Sequence, residues 1–352
     1  MSLKNHTPFP ALAWETLDQN NTPYISVVCR VKFKIVMDHA GTHLRIDPEQ
    51  GELFGRDIYY EDDDRELRYP SDYIAYKKNT DIIVNAHSFA PDNQPSQRWQ
   101  CSVEIADVED RAILHKTLQV CGERFWRRGF IGWKLDEPSE CLQVPIRYAY
   151  AYGGEIIDEE GTRVLSYDDN IAGRGLLEKK HSLKIQMAPQ IEAIDDPIDE
   201  GKPYHRYVPQ GFGAIDRVTN IRLAHAGRYD EEWLATHHPN LPQDYNEAFN
   251  QAAHPDLIYP GYLQSTAKFR MINLTREHAN ITFNLPGYSL IARFVMNTGS
   301  IEKSMNIDTV IIDIEDEDPE KRSVYVTWRS RYLIEEEIQK VEISFKQEEN
   351  HG

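Results

Sequence analysis

Apolar and polar residues alternate with period two over long stretches of this chain, the pattern of half-buried β-strands. Val27, Cys29, Val31, Phe33, Ile35 and Met37 fall on one face, and Arg30, Lys32 and Lys34 fall on the other. Asp38-His39-Ala40-Gly41 supplies turn chemistry, and residues 43–46 are predicted to return as the second arm of a hairpin. Short apolar and β-branched runs predict further strands over 81–89, 98–105 and 112–121. Over 144–152, Val144, Ile146, Tyr148, Tyr150 and Tyr152 share a face, which predicts an aromatic strand, and Pro145 places its start at a sheet edge. Strands resume over 267–274, 280–285, 289–296, 305–314 and 323–328, with Asn297-Thr298-Gly299-Ser300 as a connecting turn. Beyond 333, Ile334, Ile338 and Val341 fit a helix, while Val341, Ile343 and Phe345 fit a strand.

The middle of the chain, 153–264, is rich in Gly, Pro, Asp and Asn and carries little sustained periodicity. A structureless loop of that length does not suit a compact domain, so the stretch is expected to wrap the core with short helices. Asp230 is placed to cap a helix starting at Glu231, limited by Pro239. Asp244 and Glu247 have capping-box spacing, with Tyr245, Phe249 and Ala252 on one face of the helix that would follow. The expected fold is mainly β, an antiparallel sandwich-like core with a loop-rich middle. Residues 1–24 read as an N-terminal extension. Residues 25–352 read as a single domain, β-rich over 25–152 and 265–346, with the irregular wrap 153–264.

Composition narrows the function classes. The formal net charge of -18 sets the surface against phosphate backbones and anionic headgroups, which argues against nucleic acid as a partner. No apolar run approaches the roughly 20 residues that span a bilayer, and Met1 to Ala11 shows no signal-peptide pattern, so a cytoplasmic protein without membrane insertion is expected. Cys29, Cys101, Cys121 and Cys141 form no C-x-x-C pair, and few cysteines in a long chain suit a reducing compartment. Cys29 reads as a buried thiol on the alternating face. The acidic runs Glu61-Asp62-Asp63-Asp64 and Glu315-Asp316-Glu317-Asp318 read as solvated loops.

Catalytic patterns are weak. His39 and His43 straddle a turn and His237 and His238 are adjacent, so neither pair reads as a metal site. There is no G-x-S-x-G elbow, and Cys121 reads as a strand-end core thiol. The carboxylates Asp230, Glu231, Glu232, Asp244 and Glu247 already have work at helix starts. Gly173-Arg174-Gly175 and Gly211-Phe212-Gly213 lack the strand-loop-helix context of a phosphate cradle. No cofactor is implied, and the chain reads as a non-enzyme. The stretch Gly122-Glu123-Arg124-Phe125-Trp126-Arg127-Arg128-Gly129 is more pointed, because Arg and Trp serve both interface hot spots and internal stacking.

Several of these elements occur in a fixed order that resembles one family. Lys77-Lys78-Asn79-Thr80-Asp81 is similar to its Lys-Pro-Gly-Thr-Asp element, Gly122 to Trp126 to its Gly-Asp-Arg-x-Trp, and Ala151-Tyr152-Gly153-Gly154 to its Ala-Phe-Gly-Gly. Gly173-Arg174-Gly175, Gly211-Phe212-Gly213, Gly227-Arg228-Tyr229-Asp230-Glu231-Glu232-Trp233 and Leu241-Pro242-Gln243-Asp244-Tyr245 continue the series, which covers roughly residues 25 to 290. Lys78, Asn79, Glu123 and Tyr152 depart from the pattern. The family is the type VI secretion adaptors or chaperones, a domain of formerly unknown function encoded beside VgrG, PAAR and effector genes. The resemblance implies a protein that binds an effector, near the effector's N-terminal region, and assists its loading onto the VgrG–PAAR spike, with PAAR and VgrG as further partners. It marks Asp81, Glu123, Arg124, Trp126, Arg127, Arg174, Phe212, Tyr229, Asp230, Trp233 and Asp244 as candidates for partner binding or motif function. The rival reading is a carbohydrate-binding or carbohydrate-active β protein with Trp126 and Trp233 as sugar platforms.

Overall fold

The computed structural model describes residues 1–347 except 40, 62–64, 159 and 180–183. Ala40 of the expected turn and Asp62 to Asp64 of the first acidic run therefore lie outside the described residues. The fold is mainly β, built of several sheets with short helices between them.

The alternating stretch from Val27 belongs to a long strand, Pro23–Asp38, in a seven-stranded sheet. The sheet runs Ala11–Leu17, Pro23–Asp38, Ser323–Leu333, Asn306–Asp313, Thr80–Asn85, Ile258–Tyr259, and Gly41–Ile46 adds to Pro23–Asp38 as the expected hairpin arm. Its pairs are antiparallel except Asn306–Asp313 with Thr80–Asn85. A five-stranded antiparallel sheet carries Ile191–Glu192, Ala112–Cys121, Arg98–Ala106, Lys268–Ile272 and Asn280–Asn284. A four-stranded sheet carries Ser2–Asn5, Ile338–Gln347, Tyr288–Met296 and Gly299–Ser304. Val31, Val326 and Ile312 of the large sheet share one continuous core with Val103 and Phe269 of the second sheet and Phe294 and Val341 of the third. The last segment is thus a strand, because Val341 and Ile343 are buried against that core while Lys340 and Glu342 face outward.

Three expectations need correction. Residues 1–24 are woven into the sheets: Ser2–Asn5 pairs in parallel with Ile338–Gln347, and Ala11–Leu17 pairs with Pro23–Asp38. Residues 144–152 form no continuous strand. The backbone makes a short strand, Gln143–Pro145, and then a 3-10 turn, Tyr148–Tyr150, whose carbonyl at Tyr148 accepts from Asn170 Nδ2 at 2.8 Å. Side-chain amides have replaced a sheet neighbour there, so period two in the sequence had no ladder to serve.

The third correction concerns the polar face of Pro23–Asp38. Arg30 does not point to solvent; it is buried. Residues 47–54 and 72–77 lie across that face and supply partners for two of its charges, Asp72 for Arg30 at 2.7 Å and Asp47 for Lys32 at 2.8 Å, while Lys34 meets Glu320 at 3.4 Å. On the same face Arg329 meets Asp308 at 2.5 Å and Lys77 meets Asp81 at 2.6 Å, while Arg30 stacks 3.6 Å over the Phe54 ring. Burial pushes the Asp72 carboxyl up and the Arg30 guanidinium down, and their mutual attraction opposes both shifts.

Candidate partner-binding surface

The recurring motifs hold the backbone together. Asp81 accepts from Lys77 Nζ at 2.6 Å, Gln251 Nε2 at 2.6 Å and the Ala252 amide at 2.8 Å, joining the large sheet to the irregular wrap. Thr80 Oγ1 donates to the Ile307 carbonyl at 2.6 Å. The two glycine motifs meet each other: Tyr152 and Gly153 pair in parallel with Arg174 and Gly175. At Gly153, with φ +151°, an added Cβ would sit 2.1 Å from the Asn170 carbonyl oxygen, so the crossing admits only glycine. Arg174 lies 4.1 Å over the Tyr150 ring and donates to the Ala149 carbonyl at 2.7 Å and Gln190 Oε1 at 3.2 Å. Arg124 donates to Glu192 at 2.8 Å and to the Pro189 carbonyl at 3.2 Å. Phe212 is buried in the main core, and its carbonyl accepts from the Val84 amide at 2.8 Å. Among the candidates, then, Asp81, Arg124, Arg174 and Phe212 are architectural, and Glu123 is exposed, its carbonyl taking the Ser139 amide at 2.9 Å.

Two projections rise from this frame. The first is a hairpin, Phe125–Arg128 with Trp133–Leu135, flanked on its other edge by Ile185–Met187. Trp126 and Trp133 anchor it in a second core with Tyr152, Ile156, Leu176 and Tyr207. Arg127 is exposed and pairs with Asp136 at 2.7 Å. The Gly129 amide donates to the Gly132 carbonyl at 2.7 Å and closes the turn, where Phe130 and Ile131 are 111% and 104% exposed. Turns normally carry Gly, Asn, Asp or Ser. Two large apolar side chains there meet no local demand of the fold.

The second projection is the excursion 227–246. Gly227 takes φ +77°, and an added Cβ would approach Pro242 Cβ to 2.8 Å, so the two ends of the excursion close on glycine. Asp244 accepts from the Arg228 amide at 3.0 Å and its Nε at 2.9 Å. Asp230 caps the helix Glu231–Thr236 as expected, accepting from the Trp233 amide at 2.9 Å. Trp233 donates from Nε1 to the Asn240 carbonyl at 2.9 Å, and Tyr229 meets its ring edge-on at 4.8 Å. The helix buries none of its residues, Leu234 being 62% exposed, and Tyr229, just before the cap, is 57% exposed. The expected capping box at Asp244 and Glu247 is not formed. Asn246 caps the following turn, Glu247–Asn250, because Asp244 is held by Arg228.

Trp126 is 2% exposed, which corrects its reading as a sugar platform. The hairpin tip was missed in the sequence, although two large apolar residues between Gly129 and Gly132 were a readable signal. Elsewhere, burial pushes the Cys29, Cys101 and Cys121 thiols up to about 12, far from reactive thiolates at neutral pH. Lys116 donates to Gln210 Oε1 and Asp256 Oδ2, each at 2.8 Å, beside the buried His254, whose Nδ1 accepts the Asp256 amide at 3.2 Å. Each member of that cluster has a partner. Among the described residues no three His, Cys, Asp or Glu side chains group in a way that could hold a metal ion, and no helix is long and apolar enough to cross a membrane.

The fold and surface define a class: a mainly β, multi-sheet protein whose buried ion pairs tie its own segments together and which carries exposed apolar side chains on two braced projections, among other surface positions. The chain belongs to the family described as "Uncharacterized protein conserved in bacteria (DUF2169)", whose model matches residues 20–329. No curated protein and no solved structure matches it.

Proposed function

We propose that this protein is a cytoplasmic adaptor that binds a type VI secretion effector and assists its loading onto the VgrG–PAAR spike. The observation that carries the reading is the display of Phe130, Ile131, Tyr229 and Leu234 in solvent on projections built from ordered sequence motifs. Apolar side chains held out in this way favour burial against another polypeptide. The same ordered motifs resemble the adaptor family, and three of them, Gly122 to Trp126, Gly227 to Trp233 and Leu241 to Tyr245, lie at the base or within the two projections. An effector-sized contact buries on the order of 1,200–2,000 Å² in total.

Co-expression with the effector encoded beside the chain tests this. The expected result is a stoichiometric complex on size exclusion and retention of the effector in soluble form. Separate elution of the two proteins, together with glycan binding or turnover by this chain, would reverse the assignment in favour of a carbohydrate protein.

A further inference from the structure

We infer that the hairpin tip Phe130-Ile131 is a plug for an apolar socket rimmed by carboxylates on the effector; the inference rests on the adaptor reading and names its contact. Three observations converge. The tip is apolar and fully exposed, with Phe130 and Ile131 side by side at the turn. It is rigidly mounted, because Trp126 and Trp133 lock both arms into the second core and the strand Ile185–Met187 braces the outer edge. A preorganised element loses little conformational freedom on docking. The arms are also cationic. Arg127 lies directly opposite Lys134 on the outer face, with Ile185 exposed beside them, and Arg128 and Lys184 flank the tip.

Between residues 127 and 134 every charged residue is basic, Arg127, Arg128 and Lys134, and Lys184 adjoins Arg128; Asp136 at the base of the hairpin pairs with Arg127, and Glu200 accepts from the Leu135 amide at 3.1 Å. This local sign is the reverse of the chain's net charge of -18. A basic collar around an apolar tip on an acidic body selects a partner that is acidic only at the rim of its socket. An anionic bilayer would attract the same tip but repel the rest of the molecule, whereas a protein partner needs to match locally.

The test uses the full chain and the neighbouring effector in a binding titration, with F130S/I131S, R127E/K134E and Y229S/L234S variants. F130S/I131S is expected to weaken the complex at least tenfold with no drop in melting temperature, since neither side chain is packed. R127E/K134E is expected to weaken it severalfold, and the wild-type affinity is expected to fall with added salt. If the wild-type chain does not bind the effector, both the adaptor reading and this inference are overturned. If it binds and F130S/I131S binds equally well, or only Y229S/L234S loses binding, the adaptor reading stands and the plug is wrong. Sedimentation of the chain with phosphatidylglycerol–phosphatidylcholine vesicles, abolished in F130S/I131S while effector binding is intact, would identify the tip as a membrane contact and overturn the inference.

Discussion

Asp81 and Trp126 carry motif positions yet face inward, and each makes a sharp prediction. Asp81→Asn keeps the shape but leaves Lys77 buried without its counter-charge. Breaking a buried pair from one side costs about 3–5 kcal/mol, so urea unfolding should show a loss of that order. Trp126→Ala empties a site in the second core and should cost about 3–5 kcal/mol in the same assay. Trp233→Ala, on a helix that buries none of its residues, should leave the global midpoint nearly unchanged. His254 gives a pH signature. Burial, and then the Lys116 charge, lower it from 6.5 to about 4. Between those values the unfolded chain binds a proton that the folded chain refuses, so stability rises with pH across this window and is lost as pH falls from 6.5 toward 4. The contribution is on the order of 3 kcal/mol. His254→Asn keeps an acceptor for the Asp256 amide and should flatten that slope in unfolding curves taken from pH 4 to 7.

At the level of elements, strands with a buried apolar face were legible. The arms 98–105 and 112–121 appear nearly as expected, because alternation of apolar and polar residues is a local record of a two-sided sheet. The helix cap at Asp230 was legible for the same reason: its carboxylate and the Trp233 amide are three residues apart. Where the partner lies far along the chain, local reading failed. The Tyr148–Tyr150 turn depends on Asn170, and Asp244 answers to Arg228 rather than to the amides that follow it. The excursion 227–246 behaves as a unit closed on Gly227. Gly227→Ala should release it, giving faster amide exchange confined to 227–246 with little change in the global melting temperature.

Across the whole molecule, segments distant in sequence hold each other. Ser323–Leu333 lies between Pro23–Asp38 and Asn306–Asp313, and Ser2–Asn5 closes against Ile338–Gln347. Deleting residues 1–9 should therefore strip a sheet edge and remove the buried Phe9, which meets Phe345 at 5.2 Å. The expected outcome is a loss of about 3 kcal/mol or more, with aggregation visible by light scattering as the freed edge pairs with other copies. The β character of the chain, the ends of many strands and the identity of the turn formers were written in its residue pattern, because backbone geometry imposes its period directly on neighbouring side chains. Pairing order, the covering of the Arg30 face by residues around Phe54 and Asp72 and the exposure of Phe130 and Ile131 came from three-dimensional packing. Whether a charged face meets water or an answering carboxylate, and whether an apolar pair is buried, depends on which distant segment lies over it, and period along the chain carries no record of that.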